Sequence, residues 1–457
     1  MNTTTNTQKT ILDFLHFDNP TDQQKSALLG MEKFVEPDNK EDFLILSGAA
    51  GTGKTSITTA LVGYLNNQNL SFEICAPTGR AARILGRKSN ILSSTIHSLI
   101  FDINTEAETG KVFCSIKKIK EPVTKPKIFI IDEASMIGTK INNNEDNLFQ
   151  LNTGLLDAII LFIKRYHEDS KVIFLGDRNQ LAPINEETSM ALDKKFLETK
   201  YQLKGAEFIL SEVMRQQKGS IIMENAIIAR KAIDNNLLEA PIKAHNSLPS
   251  IYKSADSYVN NYKKNGPDTA IAIGCTHNAN RFFNDMVRQR LYSKNVNMLE
   301  IGDYLLVTKT WERNGIKLYS GDHAVVEGFD KNGIVSIAGF DFMPIEIKAT
   351  NIKGDSITIC DYMRLDLLQF PTGNNLPKLE NKLRQERYAK NPIFRESKLP
   401  QNDIYVGALA LTYGHAITCN KAQGGEWNTV YLNTFKIPDM RWQYTAITRA
   451  QERLIVF

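Results

Sequence analysis

Cysteine is scarce in this chain: five residues in 457, at positions 75, 114, 275, 360 and 419. No two form a CxxC pair, which excludes a zinc ribbon and speaks against a disulfide framework, so a reducing, cytoplasmic setting is expected. Long apolar runs are missing too. No stretch approaches membrane-spanning length, and the opening MNTTTNTQKT has no apolar core of signal-peptide size, so no membrane partner is expected and the start is expected to fray. Nor is there an excess of one charge. A net charge of +4 is too small for a globally basic nucleic-acid binder, so any such affinity has to come from a local groove. What remains is ordinary globular composition, 42% hydrophobic and 23% charged, in a chain long enough for about three or four domains.

Against that background one stretch stands out. FLIL at 43–46 is a short apolar run, SGAAGTGKT follows at 47–55, and SITTALVGYL at 56–65 carries apolar residues at helical spacing. A buried parallel strand, a glycine-rich turn and a helix in that order form a phosphate-binding loop. Gly48, Gly51 and Gly53 let successive N–H groups turn onto anionic oxygens, and the helix N-terminus adds partial positive charge. Lys54 is then placed for the β- and γ-phosphates and the Thr55 hydroxyl for Mg²⁺, which makes ATP and Mg²⁺ the expected ligands. A bare connector is the other reading of such a loop, and the rest of the chain speaks against it. Upstream, Thr21 and Gln24 stand at capping-box spacing. The Gln24 amide also has the donor and the acceptor needed to read an adenine edge, and both readings stand.

Downstream the strand-then-polar-turn design recurs. FEICA at 72–76 leads into Pro77-Thr78-Gly79-Arg80, suited to a polymer's backbone phosphate or simply to a turn. KIFII at 127–131 ends in Asp132-Glu133, where one acid can hold Mg²⁺ and the other polarise an attacking water. KVIFL at 171–175 delivers Gly176-Asp177-Arg178-Asn179-Gln180, placing Gln180 to sense the terminal phosphate. Residues 269–274 start a second α/β unit whose turn holds Thr276 and which lacks a phosphate loop of its own.

Between these runs the pattern changes twice. Alternating segments on either side of 105–110 read as a hairpin, with Phe101 and Phe113 flanking its turn either to pack the base or to touch nucleobases. The preceding His97 is by default a structural histidine. From 301 to 401 short β segments alternate with turns, as in a small barrel, and the basic stretch 378–398 is either a solvated helix or a nucleic-acid track. Residues 411–426 read as a helix ending at Gly424-Gly425.

Taken in order, GAAGTGKT, APTGRAA, IDEAS, GDRNQLAP, VMRQ, AITCNKAQGGE and YTAITRA resemble the superfamily 1 DNA helicases, in the RecD/Dda-like (superfamily 1B) branch. The resemblance spans nearly the whole chain. It implies an α/β fold of two RecA-like parallel-sheet domains, with a β-hairpin pin and an SH3-like β-barrel as inserts. The implied boundaries are 1–91 with 127–225 for the first unit, 92–126 for the pin, 226–300 with 402–457 for the second unit, and 301–401 for the barrel.

The same resemblance implies Gln24 as adenine reader and Gly48, Ala49, Ala50, Gly51, Thr52, Gly53, Lys54, Thr55, Ser56 and Glu426 as nucleotide contacts. Thr55 and Asp132 fall to the metal and Glu133 to the catalytic base. Gln180 is the coupling glutamine, and Arg215 and Arg449 are arginine fingers from opposite sides of the cleft. Thr78, Arg80, His97, Phe101, Phe113, Thr276 and Thr418 would contact single-stranded DNA. One position departs from the family's Thr-x-His-Lys segment: Asn420 stands where the histidine would be, and it cannot carry charge.

The activity so implied is ATP-dependent unwinding by a monomer moving 5′ to 3′ on single-stranded and forked DNA, in company with replication or repair proteins. A translocase that strips bound proteins without unwinding, and a nucleotide-switched binding protein, are the alternatives.

Overall fold

The computed structural model describes residues 9–89, 91, 93–105, 112–119, 123–141, 149–150, 153–212, 220–292, 298–351, 354–369 and 376–457. Two parallel sheets organise it. The first contains β1 (Phe43–Gly48), β2 (Phe72–Ala76), β3 (Ser94–Thr95), β4 (Ile128–Ile131), β5 (Lys171–Gly176) and β6 (Gly205–Leu210) in the order β3-β2-β4-β5-β1-β6. The second contains β7 (Asn246–Ser247), β8 (Ala270–Gly274), β9 (Ala416–Thr418), β10 (Trp427–Leu432) and β11 (Ala450–Val456) in the order β7-β11-β10-β8-β9.

The apolar runs are continuous because each strand is covered on both faces. Successive side chains point to opposite sides. Phe43 and Ile45 of β1 join Phe129, Ile131 and Phe174 under the helix Leu155–Tyr166. Leu44 and Leu46 join Ile130 and Leu175 under α1 (Asp22–Phe34) and α2 (Lys54–Asn67). The second sheet repeats the plan, with Ile271, Ile273, Val430 and Leu432 against Trp442 and Ile447 on one face, and Ala272 and Tyr431 against Tyr258 and Phe283 on the other.

The strand Phe101–Thr105 pairs antiparallel with Val112–Ile116, which also pairs in parallel with Phe149–Gln150, a strand the sequence reading lacks. Residues 301–401 contain an antiparallel sheet rather than parallel units. Its strand Tyr304–Val307 lies between His323–Phe329 and Leu411–Tyr413, so the sheet takes in chain beyond the expected boundary at 401. Most of the helix expected over 411–426 is therefore absent. Leu411–Tyr413 joins the antiparallel sheet, Ala416–Thr418 joins the second parallel sheet, and only Cys419–Ala422 is helical. Two neighbouring sheets each offer a free edge here, and their ladder bonds outweigh local helical preference. The basic stretch forms the helices Leu376–Lys390 and Pro392–Ser397, with Arg387 on the buried Asp403 at 2.9 Å and Arg364 on Glu380 at 2.7 Å, an ion-paired flank of this sheet.

At the junction of this sheet with the second unit, His415 is fully buried among Tyr258, Tyr262 and Tyr304, and neither ring nitrogen has a hydrogen-bond partner among the described residues. Burial, then the field of Arg288, pushes its pKa from 6.5 down to about 3. The folded chain refuses a proton that the unfolded chain accepts, so this site's stability is present above pH 6.5 and drains away as pH falls toward 3. Thermal unfolding midpoints at about pH 7.5 and about pH 5 should therefore differ, and His415→Phe should shrink the difference. An unchanged difference in the variant would count against this account.

Candidate active site

The ends of β4, β5 and β1 lie side by side, because Ile131 pairs with Phe174 and Ser47 with Gly176. Asp132-Glu133, Asp177 and Gly48 therefore meet at one sheet edge, where open α/β sheets bind ligands. Gly51 and Gly53 take the left-handed conformation, with φ of 81° and 89°. This wraps the loop so that α2 begins at Lys54 and presents its first N–H groups to the same space. Lys54 Nζ donates to the carbonyl oxygens of Gly48 at 2.5 Å and Ala49 at 3.1 Å. Thr55 and Ser56 occupy the first turn of α2.

Gln24 is buried and occupied twice. Its Oε1 accepts from Thr21 N at 3.0 Å, completing the capping box, and its Nε2 donates to Thr52 O at 3.0 Å. The capping-box reading is met, and the same bonds hold the amide against the loop.

Glu133 sits in the left-handed region at φ 52°, a conformation that costs about 1–3 kcal/mol and persists only when held. Its N–H donates to Asp132 Oδ1 at 2.8 Å. Burial, and after it the Asp132 carboxylate, push its pKa up to about 7, while the charges of Arg449 and Lys54 pull the other way. One carboxyl thus feels cations from residues near opposite ends of the chain. Thr55 and Asp132 offer hard oxygens, the donor type that suits Mg²⁺, which keeps several waters and needs only one or two protein ligands.

The second unit reaches this edge through α5 (Met440–Ile447), the helix before β11. The fully buried Tyr444 hydroxyl accepts from Ala50 N at 3.2 Å and donates to Asp177 Oδ2 at 2.6 Å. Thr445 Oγ1 accepts from Leu181 N at 2.8 Å, Gln423 Nε2 donates to Leu181 O at 3.4 Å, and Arg441 donates to Arg178 O. Arg449 follows, 4% exposed, with its guanidinium on Thr445 O, Gly425 O and Thr448 Oγ1 at 3.0, 3.2 and 3.2 Å. Tyr444 and Thr445 went unremarked in the sequence reading although they stand within YTAITRA. Only their neighbour Arg449 carries a charge that draws attention. The Glu426 carboxylate accepts from Gln451 Nε2 at 3.1 Å. Arg215 lies outside the described residues.

The positions expected on DNA separate. Thr78 Oγ1 accepts from Ala81 N at 3.2 Å at the start of α3 (Gly79–Ser89), and Thr276 Oγ1 accepts from Ala279 N at 3.2 Å. Thr418 ends β9 in register with Gly274, so Thr276 and Thr418 share one sheet edge. His97 is exposed, 5.6 Å from the Phe101 ring.

Two expectations are overturned. Phe101 is 4% exposed and belongs to the core of the first unit, because the hairpin base packs on the helix above it. Arg80 is no phosphate hand in this structure: its guanidinium lies 4.3 Å over the Trp427 ring and donates to Gly321 O at 3.1 Å. Beside it a Cβ on Gly79 would fall 2.1 Å from Tyr319, so this turn is closed over by the antiparallel sheet and the second unit. The Phe113 side chain lies outside the described residues. Among the described residues no helix is long and apolar enough to cross a membrane.

Family models match twice: an AAA domain over residues 31–237 and a UvrD-like helicase C-terminal domain over residues 413–457. The RecBCD enzyme subunit RecD of Buchnera aphidicola is 23% identical over 463 residues, covering 91% of this chain and 70% of that protein. The ATP-dependent DNA helicase dda of Enterobacteria phage T4 is 29% identical over 169 residues, 37% of this chain and 34% of that one. Among solved structures, a Pif1 helicase from Bacteroides in complex with ADP-AlF3 and ssDNA superposes with a TM-score of 0.52 at 15% identity, over 96% of this chain and 92% of that one. The fold is that of two RecA-like domains.

Proposed function

The chain belongs to the RecD/Dda-like (superfamily 1B) branch of the superfamily 1 DNA helicases, and from that premise we propose that it hydrolyses ATP between its two parallel-sheet units to travel 5′ to 3′ along single-stranded DNA and part a forked duplex. The observation that carries this reading is the crossing of the cleft by α5, with Tyr444 on the phosphate loop and Arg449 within electrostatic reach of Glu133.

In this reading the loop amides and Lys54 hold the phosphates, and Gln24 and Glu426 complete the nucleotide contacts. Thr55 and Asp132 would hold Mg²⁺, which would supply positive charge to the phosphates. Glu133, poised near neutral pH by burial, draws the proton from the attacking water, and Gln180 orients that water. Arg215 and Arg449 meet the charge that develops on the transferred phosphoryl group.

Because Arg449 and Lys54 come from different units, the site is complete only while the cleft is closed. Hydrolysis then alternates closing with opening. Thr78, His97, Thr276 and Thr418 grip the strand by its backbone on the two units in turn, so affinity falls as salt rises.

Strand displacement on forked duplexes with either a 5′ or a 3′ single-stranded tail tests this directly. We expect ATP-dependent opening from the 5′ tail alone. Opening from neither tail, with proteins still stripped from single strands, would instead identify the translocase.

A further inference from the structure

The turn 177–181 carries Gln180 out of the first sheet, and side chains of the second unit grip it at both ends. Its first residue is Asp177, 1% exposed, whose Oδ1 accepts from Asn179 N at 3.0 Å while its Oδ2 accepts from the Tyr444 hydroxyl at 2.6 Å. Its last is Leu181, whose N–H donates to Thr445 Oγ1 at 2.8 Å and whose carbonyl oxygen accepts from Gln423 Nε2 at 3.4 Å. Between them Arg441 donates to Arg178 O. The first unit holds the turn through the Arg178 side chain, on Leu192 O at 3.0 Å and on Glu207.

We propose that Tyr444 is a positioning residue for Gln180: through Asp177 its hydroxyl sets the turn, so that seating α5 on the first unit and aiming the glutamine are one event. The inference rests on the ATPase reading above. The Gln180 amide depends on its backbone for direction. Its side chain is 5% exposed and its Oε1 has no hydrogen-bond partner among the described residues, so the amide goes where the turn carries it. With Ser135 and Arg230, Gln180 belongs to the wall of the cavity that also takes in Gly48 and Ala49 of the phosphate loop.

Tyr444 can serve as a fixed point because α5 is embedded in its own unit. Trp442, Ala446 and Ile447 join the second unit's core with Ile222 of α4 (Ile221–Asp234), and Gln443 Nε2 donates to Ala240 O at 3.2 Å. A tyrosine hydroxyl has one hydrogen, and here Asp177 takes it. Hydrogen bonds to a carboxylate are about twice as strong as neutral ones, and a buried carboxylate that loses its donor is costly, so without this hydroxyl the turn shifts. The same oxygen accepts from Ala50 N at 3.2 Å, which ties phosphate loop and turn to one atom of the other unit. When the cleft opens both ties part, and a misplacement of about 1 Å at a reacting centre costs on the order of a hundredfold in rate.

The test uses the whole chain, with and without single-stranded DNA, and reads single-turnover rates, which keep slow variants measurable, beside the affinity for a fluorescent ATP analogue. Tyr444→Phe keeps the ring and removes the hydroxyl; its rate should fall about tenfold to a hundredfold while its affinity stays within about twofold of the wild type. In a Gln180→Ala background, itself slow, the same change should alter the rate by less than about twofold, because the group it positions is gone. Thr445→Val, at the other end of the turn, should depend on background in the same way, and it carries the test should Tyr444→Phe fail to fold. Equal slowing in both backgrounds overturns the inference, since it marks a structural role independent of Gln180. So does an unchanged rate in Tyr444→Phe or in Gln180→Ala, and so does a loss of affinity matching the loss of rate, which traces the effect to Ala50. With an active wild type, each of these strikes this inference alone. A wild-type chain that releases no phosphate from ATP with or without DNA strikes the ATPase reading and this inference with it.

Discussion

Arg449→Ala is expected to lower ATP turnover by about a thousandfold or more while leaving nucleotide affinity nearly unchanged, the pattern of an arginine finger. The side chain is buried, and its three hydrogen-bond acceptors all belong to its own unit, so its position is fixed by the second unit. Three residues of the helix just before it hold it against the first unit: Tyr444 on Ala50 and Asp177, Thr445 on Leu181, and Arg441 on Arg178. Across that seam Arg449 is felt by Glu133, where the nucleophilic water would stand. A low-dielectric cleft makes one fixed positive charge there worth several kcal/mol to a transition state that gathers negative charge. Single-turnover rates and the affinity for a fluorescent ATP analogue separate the two effects. A variant that keeps more than about a tenth of its rate would remove the trans-cleft site. Because the truncation also empties a buried space, unfolding midpoints should accompany the rates, and Arg449→Lys should restore folding better than catalysis.

Lys54→Ala is expected to abolish turnover with or without DNA, a loss of at least about a thousandfold. In the present structure the ammonium satisfies the Gly48 and Ala49 carbonyl oxygens at the mouth of the loop. Phosphate oxygens would replace those neutral acceptors by charged ones, and charge-assisted hydrogen bonds are about twice as strong. Removing the side chain therefore takes away a ligand for the phosphates and also exposes loop carbonyls to them, so weaker nucleotide binding should accompany the lost rate. DNA-stimulated phosphate release near the wild-type level would show that this loop is not the hydrolytic site.

The local parts of this site were legible in the sequence because their chemistry is local. A buried run, a turn of glycines and a lysine-threonine pair point to a phosphate loop over a bare connector, and Asp132-Glu133 and Gln180 follow the same strand-then-turn rule. The misreadings have one kind of cause. Residues 411–426 carry apolar spacing compatible with a helix, yet two sheet edges compete for them and win. Phe101 and Arg80 each allow two readings in the sequence, a hand for a polymer or a part of the local packing. One is instead drawn into the core, and the other is pressed between an indole ring and a backbone carbonyl.

By itself the sequence pointed to a nucleoside triphosphate site on an α/β sheet and, through the order of its motifs, to the superfamily 1 resemblance. Both depend on side-chain type at short spacing. Only the tertiary structure decided that Tyr444 closes on Ala50, 394 residues away, that the charges of Arg449 and Lys54 both pull the Glu133 pKa down, and that Ser135, Gln180 and Arg230 line one cavity. No periodicity encodes such meetings: they follow from how two independently packed sheets dock, and docking is set by shape and hydrogen-bond complementarity summed over the whole seam.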